Sequence, residues 1–86
     1  MAASVLYRAL LEAQAAYETG EHDARKLRRV MRDVLAAEPL AEIDYVSVAD
    51  AETLQEFRGT IDRSALVSLA VRIGQIRLID NLVLPG

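Results

Sequence analysis

LVSLAVRIGQIRLIDN, which runs from Leu66 to Asn81, has the clearest structural pattern in this chain. It contains two runs rich in valine, leucine and isoleucine, which are separated by Gly74 and Gln75. Such runs on either side of a short turn that contains glycine predict a β-hairpin. Glycine suits the first turn position because it adopts a positive φ without steric cost. We therefore predict two antiparallel strands joined by a two-residue loop; the alternative, a loop of three or four residues, would shift the pairing of the strands.

A two-residue loop also determines which residues of the two strands lie opposite each other. One face of the hairpin is then mostly apolar and is assigned to the core; its pairs are Ile73–Ile76, Val71–Leu78 and Leu69–Asp80. The other face pairs Arg72 with Arg77 and Ala70 with Ile79. Two like charges directly opposite each other are destabilising. The two arginines therefore need carboxylates or an anion nearby.

Two segments upstream of the hairpin have the apolar spacing of amphipathic helices, with steps of three and four residues. The first predicted helix runs from Ala3 to Thr19, and Gly20 ends it as the residue after the C-cap. The second runs from Asp23 to Ala37, and Pro39 marks its end. Each helix carries an apolar stripe that can pack against a sheet.

A further strand is predicted from Glu42 to Val48, where β-forming residues alternate with polar ones. The alternation places Ile43 and Tyr45 on one face, and Glu42 and Asp44 on the other. If this strand joins the hairpin, one of the two acidic residues can face a hairpin arginine and relieve the repulsion.

The segment between this strand and the hairpin predicts a short helix followed by a loop. Asp50 is a good N-cap for a helical turn that extends to Phe57, and Arg58 to Arg63 reads as loop because it contains Gly59. The predicted fold class is α+β with two layers: two amino-terminal helices on a small, mainly antiparallel, three-stranded sheet. Residues 1–86 are expected to form a single domain.

Composition limits the classes of function. The chain has 86 residues, a formal net charge of −3 and no cysteine. An acidic chain is a poor ligand for nucleic acid or an anionic membrane, and a chain without cysteine has no disulfide or thiolate metal site. Neither a signal peptide nor an apolar run long enough to span a bilayer is visible. We expect a cytoplasmic protein.

Catalytic chemistry has little support in the sequence, and we predict no catalytic, cofactor-binding or metal-binding residue. His22 is the only histidine, and a lone imidazole does not make a metal site. The residues at the hairpin that could reach a ligand are Arg72, Arg77, Asp80 and Asn81. The alternative for Arg77 and Asp80 is hydrogen bonding to neighbouring backbone or to each other.

The second predicted helix carries a basic face formed by Arg25, Lys26, Arg28, Arg29 and Arg32. This face could dock phosphate or a protein partner. The simpler interpretation is a solvated face balanced by Glu21, Asp23 and Asp33, since exposed charges contribute little to stability.

Three segments carry a family resemblance: VLYRAL in the first helix, IDYVSVAD in the first strand and VRIGQIRLIDN in the hairpin. In this order and spacing they resemble the carboxy-terminal domain of the pantothenate synthetase, or pantoate–β-alanine ligase, family. The resemblance implies an enzyme that uses ATP and magnesium to convert pantoate into pantoyl adenylate, from which β-alanine displaces AMP. It also implies a Rossmann-like amino-terminal domain that binds nucleotide and both substrates, and a smaller lid domain that this chain resembles.

The family's catalytic signatures are missing from this chain. Neither its histidine-containing nucleotide signature nor its Ser-Ser-Arg-Asn stretch occurs here, so no catalytic or ATP-binding residue can be carried over. The isolated chain is therefore expected to be inactive, to need an amino-terminal nucleotide-binding domain as its partner, and to expose an interdomain surface that could form a homo-oligomer. The alternative function is a free-standing α+β protein–protein interaction module that docks through its sheet edge or basic helix.

Overall fold

The computed structural model describes residues 4–86, which form two helices followed by a three-stranded antiparallel sheet of order β1-β2-β3. The elements are α1 (Ser4–Glu18), α2 (Ala24–Ala36), β1 (Ala41–Asp50), β2 (Ala65–Ile73) and β3 (Ile76–Leu84). The predicted α+β class with two helices and three strands is confirmed. Ala3, the predicted first residue of the first helix, lies outside the described residues.

The hairpin formed by β2 and β3 has the predicted loop and register. Ile73 pairs with Ile76, Arg72 with Arg77, and the pairing continues to Ala65 and Leu84. Gly74 has a φ of +64° whereas Gln75 has no positive φ. A positive φ at the first turn position alone is the pattern of a type II′ turn, which matches the twist of the flanking strands.

Both helices end or begin with the residues that the sequence indicates. Gly20 follows α1 with a φ of +112°, and its N–H donates to the Tyr17 carbonyl at 3.1 Å while the Glu21 N–H donates to the Ala16 carbonyl at 2.9 Å. These two bonds form a Schellman motif. Asp23 is the N-cap of α2, and its side chain accepts a hydrogen bond from the backbone N–H of Arg25 at 2.9 Å.

The core lies between the helices and one face of the sheet. α2 contributes Leu27, Met31 and Leu35, which recur every four residues and are each 0% exposed. Burying a side chain of this size stabilises the fold by about 1.5–3 kcal/mol. The strand residues of this core that are 0% exposed are Val48, Ala65, Val67, Leu69 and Val71.

β1 contains a bulge that overturns one prediction. Ile43 pairs with Val71 and Tyr45 pairs with Ala70, so Asp44 is an extra residue without a partner in the ladder. The bulge shifts the alternation by one residue. Ile43 therefore faces the helices while Tyr45 lies on the opposite face, and the prediction that they share a face is wrong.

The predicted short helix after Asp50 is also wrong, although Asp50 does act as a cap. Its Oδ1 accepts hydrogen bonds from the backbone N–H groups of Glu52 at 2.8 Å and Thr53 at 3.1 Å. Leu54 then adopts a φ of +64°, which a right-handed helix does not allow. The Phe57 N–H instead donates to the Val48 carbonyl at 2.9 Å, so the chain turns back along β1 after a single turn.

Asp50 is a buried carboxylate in contact with Arg63. The Nη1 atom of Arg63 lies 3.2 Å from Asp50 Oδ2. The backbone N–H groups of Glu52 and Thr53, and to a smaller extent the charge of Arg63, lower the pKa of Asp50 below its ordinary value of 3.8. A folded-state pKa below the unfolded one means that the unfolded chain binds the proton more readily. Asp50 therefore stabilises the fold at neutral pH, and this contribution is lost as pH falls through its folded pKa.

We expect Asp50→Asn to weaken the dependence of stability on acid. Asparagine can still accept the two backbone hydrogen bonds, but it has no charge for Arg63. The variant should be less stable than the parent at pH 7 and should lose less stability as pH falls from about 5 through the folded pKa of Asp50. Urea unfolding at several pH values measures this, with the exposed Asp33→Asn as the control. An equal loss of stability in acid for Asp50→Asn and the parent would contradict the assignment.

Candidate functional site

The sheet has one face that neither helix covers, and we call it the open face. The register of the three strands arranges its side chains in four rows that cross β1, β2 and β3 in turn. Nearest the hairpin loop is a charged row, Glu42–Arg72–Arg77, followed by an apolar row, Tyr45–Ala70–Ile79. A polar row, Ser47–Ser68–Asn81, comes next, and a second apolar row, Ala49–Leu66–Val83, lies farthest from the loop.

The charged end of the open face holds an ion pair that joins the two edge strands. Arg77 Nε lies 2.7 Å from Asp44 Oδ2, and the Arg77 guanidinium carbon lies 5.9 Å from the centre of the Tyr45 ring. Asp44 is the bulged residue of β1, so the bulge supplies the carboxylate that reaches across β2 to Arg77. The expectation that an acidic residue of β1 relieves the repulsion between the arginines is confirmed for Asp44 and Arg77.

Arg72 is left without such a partner. It lies in register between Glu42 and Arg77, yet it makes no ion pair with any residue in the range 4–86. Its side chain is exposed on the open face. Arg77 is paired with Asp44 within residues 4–86, whereas Arg72 remains a cation available to a group outside them.

The four residues selected at the hairpin do not come together at one point. Arg72 and Arg77 are adjacent on the open face, and Asn81 lies opposite Ser68 on the same face but two rows away. Asp80 pairs with Leu69 and therefore lies on the helix side, where its Oδ1 accepts a hydrogen bond from the backbone N–H of Asn81 at 2.8 Å. Contact between any of these side chains and a ligand stays a prediction.

The basic face of α2 is largely compensated by nearby carboxylates. Three of its five cations form ion pairs, which are Arg25–Asp23 at 3.7 Å, Lys26–Glu21 at 3.8 Å and Arg28–Glu56 at 2.8 Å. Within residues 4–86 only Arg29 and Arg32 of this face lack an ion pair. This arrangement favours a solvated helix face over a docking site for phosphate.

Glu56 connects α2, β1 and the loop between β1 and β2, a role that no sequence pattern predicted. Its carboxylate accepts hydrogen bonds from Ser47 Oγ at 2.6 Å, from the Val48 N–H at 2.8 Å and from Arg28 Nη1 at 2.8 Å. Arg28 Nη1 also donates to the Phe57 carbonyl at 2.8 Å. These bonds hold the loop against the edge of β1, on the side away from β2.

His22 packs against a neighbouring aromatic ring. Its ring stacks on that of Tyr17 with the two centres 4.5 Å apart, and the Tyr17 hydroxyl donates to the Pro85 carbonyl at 3.2 Å. The described part of the chain contains no group of three or more His, Asp or Glu side chains that could bind a metal ion. Neither of its helices is long and apolar enough to cross a membrane.

Comparison with known proteins relates the chain to the pantothenate synthetases. The family model for pantoate–beta-alanine ligase matches residues 1–83. The chain is 58% identical over 83 residues to a pantothenate synthetase from Herpetosiphon aurantiacus, and the match covers 96% of this chain and 30% of that protein. A pantothenate synthetase from Rubrobacter xylanophilus is 48% identical over 84 residues, covering 98% of this chain and 29% of that protein.

Solved structures agree with the sequence comparisons. The crystal structure of pantothenate synthetase from Thermus thermophilus superposes with a TM-score of 0.80 at 33% identity, covering 91% of this chain and 28% of that one. The chain thus spans about 30% of the length of the relatives that it matches. With a family match that extends over nearly all of its residues, this chain belongs to the pantoate–beta-alanine ligase family.

Proposed function

We propose that this chain is the carboxy-terminal lid domain of a cytoplasmic pantothenate synthetase, with residues 1–86 forming one domain. The observation that carries the proposal is a family match over residues 1–83 in a chain that spans only about 30% of its relatives. A match that is complete for this chain but partial for the relatives is what one part of a larger enzyme produces, and the core that the two helices and the sheet share supports a separate structural unit. Its partner is then the amino-terminal nucleotide-binding domain of the same enzyme.

The lid would act by closing over an active site built on that partner. In the proposed reaction the pantoate carboxylate attacks the α-phosphate of ATP to give an acyl adenylate with release of pyrophosphate, and the amine of β-alanine then displaces AMP. Water competes with the amine for such an intermediate, so closing the site protects the reaction from hydrolysis. Residues 4–86 contain no group of three or more His, Asp or Glu side chains that could hold a metal ion, and under this proposal the partner domain binds ATP and magnesium. Under this proposal the isolated chain is inactive.

A hybrid polypeptide tests the proposal. The pantothenate synthetase of Chloroflexus aurantiacus is 58% identical to this chain over 85 residues, and those residues can be exchanged for this chain. We expect the hybrid to release AMP from ATP in the presence of pantoate and β-alanine. The same relative without the exchanged segment, and this chain alone, should not. A hybrid that is folded but no more active than the truncated relative would overturn the proposal.

A further inference from the structure

We propose that the open face of the sheet is the surface on which the amino-terminal part of the same polypeptide docks. The inference rests on the proposed function and adds to it the location of the interdomain contact. The occupant is the neighbouring domain, and Arg72 meets an acidic group of that domain.

The open face leaves apolar surface in solvent. Ile79 is 56% exposed and Val83 is 54% exposed. Both lie on β3, which is paired with β2 along its length. They lie in the two apolar rows, on either side of the polar row that contains Asn81. The other large exposed apolar side chains lie on α1, in loops or at the hairpin tip: Tyr7, Leu11, Leu40, Leu54 and Ile76. The open face thus contains two exposed β-branched residues on one strand of a regular surface.

The relatives have a long stretch of polypeptide outside this match that could cover the open face. About 70% of each relative's length lies beyond the aligned part, since the alignments cover 30% of them. A covalently joined domain is present at a high effective concentration, so even a modest contact is occupied. Interdomain interfaces are also more polar than permanent subunit interfaces. The alternation of apolar with serine and asparagine rows matches that mixed character.

A second copy of the chain fits the open face less well. If two such faces packed with their rows in the same order, Arg72 of one copy would lie against Arg72 of the other. If the order were reversed, the charged row would lie on the apolar row that contains Leu66 and Val83. Like charges in contact and a desolvated, unpaired arginine are both unfavourable.

The unpaired charge of Arg72 indicates the chemistry of the occupant. Its neighbour Arg77 already forms an ion pair with Asp44, with Nε 2.7 Å from Oδ2. Arg77 is therefore not the free cation of the charged row. Arg72 has no ion pair among residues 4–86. An arginine at the rim of an interface gains most from a carboxylate, which it can bind with two parallel hydrogen bonds.

Thiol labelling tests the location of the contact directly. The chain has no cysteine, so Ile79→Cys introduces one thiol on the open face. Its reaction with a water-soluble maleimide is measured in the isolated chain and in the Chloroflexus hybrid, with and without ATP and pantoate. Mass spectrometry of the peptide that carries the new thiol at position 79 separates it from cysteines elsewhere in the hybrid. Leu40→Cys is the control, because Leu40 is 66% exposed and lies outside the open face.

We expect the thiol at position 79 to react at least about tenfold more slowly in the hybrid, which requires only about 1.4 kcal/mol of docking free energy. The thiol at position 40 should react at similar rates in both. Equal rates at position 79 under both substrate conditions would overturn the docking face, and so would protection in the isolated chain that grows with its concentration. Val83→Cys provides a second position on the same face if the first variant does not fold.

The activity of the hybrid keeps the two proposals distinct. An active hybrid with an unprotected thiol at position 79 would overturn the docking face and leave the lid function intact. A protected thiol in an inactive hybrid would support the docking face and count against the lid function.

Discussion

Leu69→Ala is expected to lower the free energy of unfolding by about 2–5 kcal/mol, the range for removing a buried leucine side chain from a core. Leu69 lies on the central strand, is 0% exposed and belongs to the core cluster to which both helices contribute. The change leaves a cavity where the two layers meet, because neighbours on a paired strand cannot move far to fill it. Denaturation with urea, followed by circular dichroism, measures the loss.

The size of this loss is large for such a small domain. Folded domains are stable by only about 5–15 kcal/mol, so the variant should be partly unfolded at moderate temperature. Leu40→Ala is the matched control, since that leucine is 66% exposed and a surface substitution changes stability by about 0.5 kcal/mol or less. Equal stabilities for the two variants would show that the helices do not cover the predicted face of the hairpin.

Glu56→Ala is expected to cost about 1.5–3 kcal/mol, the range for hydrogen bonds to a charged group. The substitution removes the acceptor of three donors and leaves the partly buried N–H of Val48 without a partner. Arg28 loses its ion pair with the loop at the same time. Faster hydrogen exchange at Val48 and Phe57, together with a lower urea midpoint, would report detachment of the loop from β1.

Two control variants distinguish the loss of the hydrogen bonds that Glu56 accepts from the effect of removing any one negative charge on stability. Glu56→Gln keeps an acceptor oxygen and should cost less than Glu56→Ala. Glu12→Ala removes an exposed carboxylate of α1 and should change stability by about 0.5 kcal/mol or less. The assignment fails if Glu56→Ala is no more destabilising than Glu12→Ala.

The hairpin could be predicted because its determinants are local. Gly74 accepts the positive φ of the turn, and the apolar residues at alternate positions from Val67 to Ile73 define one apolar face. Once the loop length is set, the pairs from Ile73–Ile76 to Leu69–Asp80 follow from the two-residue period of a strand. The helix ends at Gly20 and Asp23 were predictable for the same reason, since caps depend on neighbouring residues.

The errors arose where distant residues decide the local structure. The bulge at Asp44 becomes visible only when β1 is aligned with β2, because EIDYVSV by itself reads as an unbroken alternation. After Asp50 the cap was predicted correctly, but the following turn ends at Leu54, and Glu56 pairs with Ala49 in an isolated bridge. Arg28 and Glu56 are 28 residues apart, and no short-range pattern connects them.

The candidate site was predictable only in part. The pairing of the two arginines and their need for a carboxylate followed from the register, and Asp44 meets that need for Arg77. The same register places Asp80 on the helix side, so the register alone separates it from Arg72 and Arg77. Composition and periodicity indicated a small α+β domain without catalytic groups, and the metabolic assignment came from the resemblance of three short segments.

Growth of a bacterium whose own pantothenate synthetase gene has been deleted tests whether this chain serves as the lid of that enzyme. The strain carries the Chloroflexus hybrid that contains this chain and is placed on medium without pantothenate. We expect growth with the hybrid and none with the relative that lacks the exchanged segment. If the hybrid accumulates as folded protein and the cells still grow only when pantothenate is added, this chain does not serve as the lid of that enzyme.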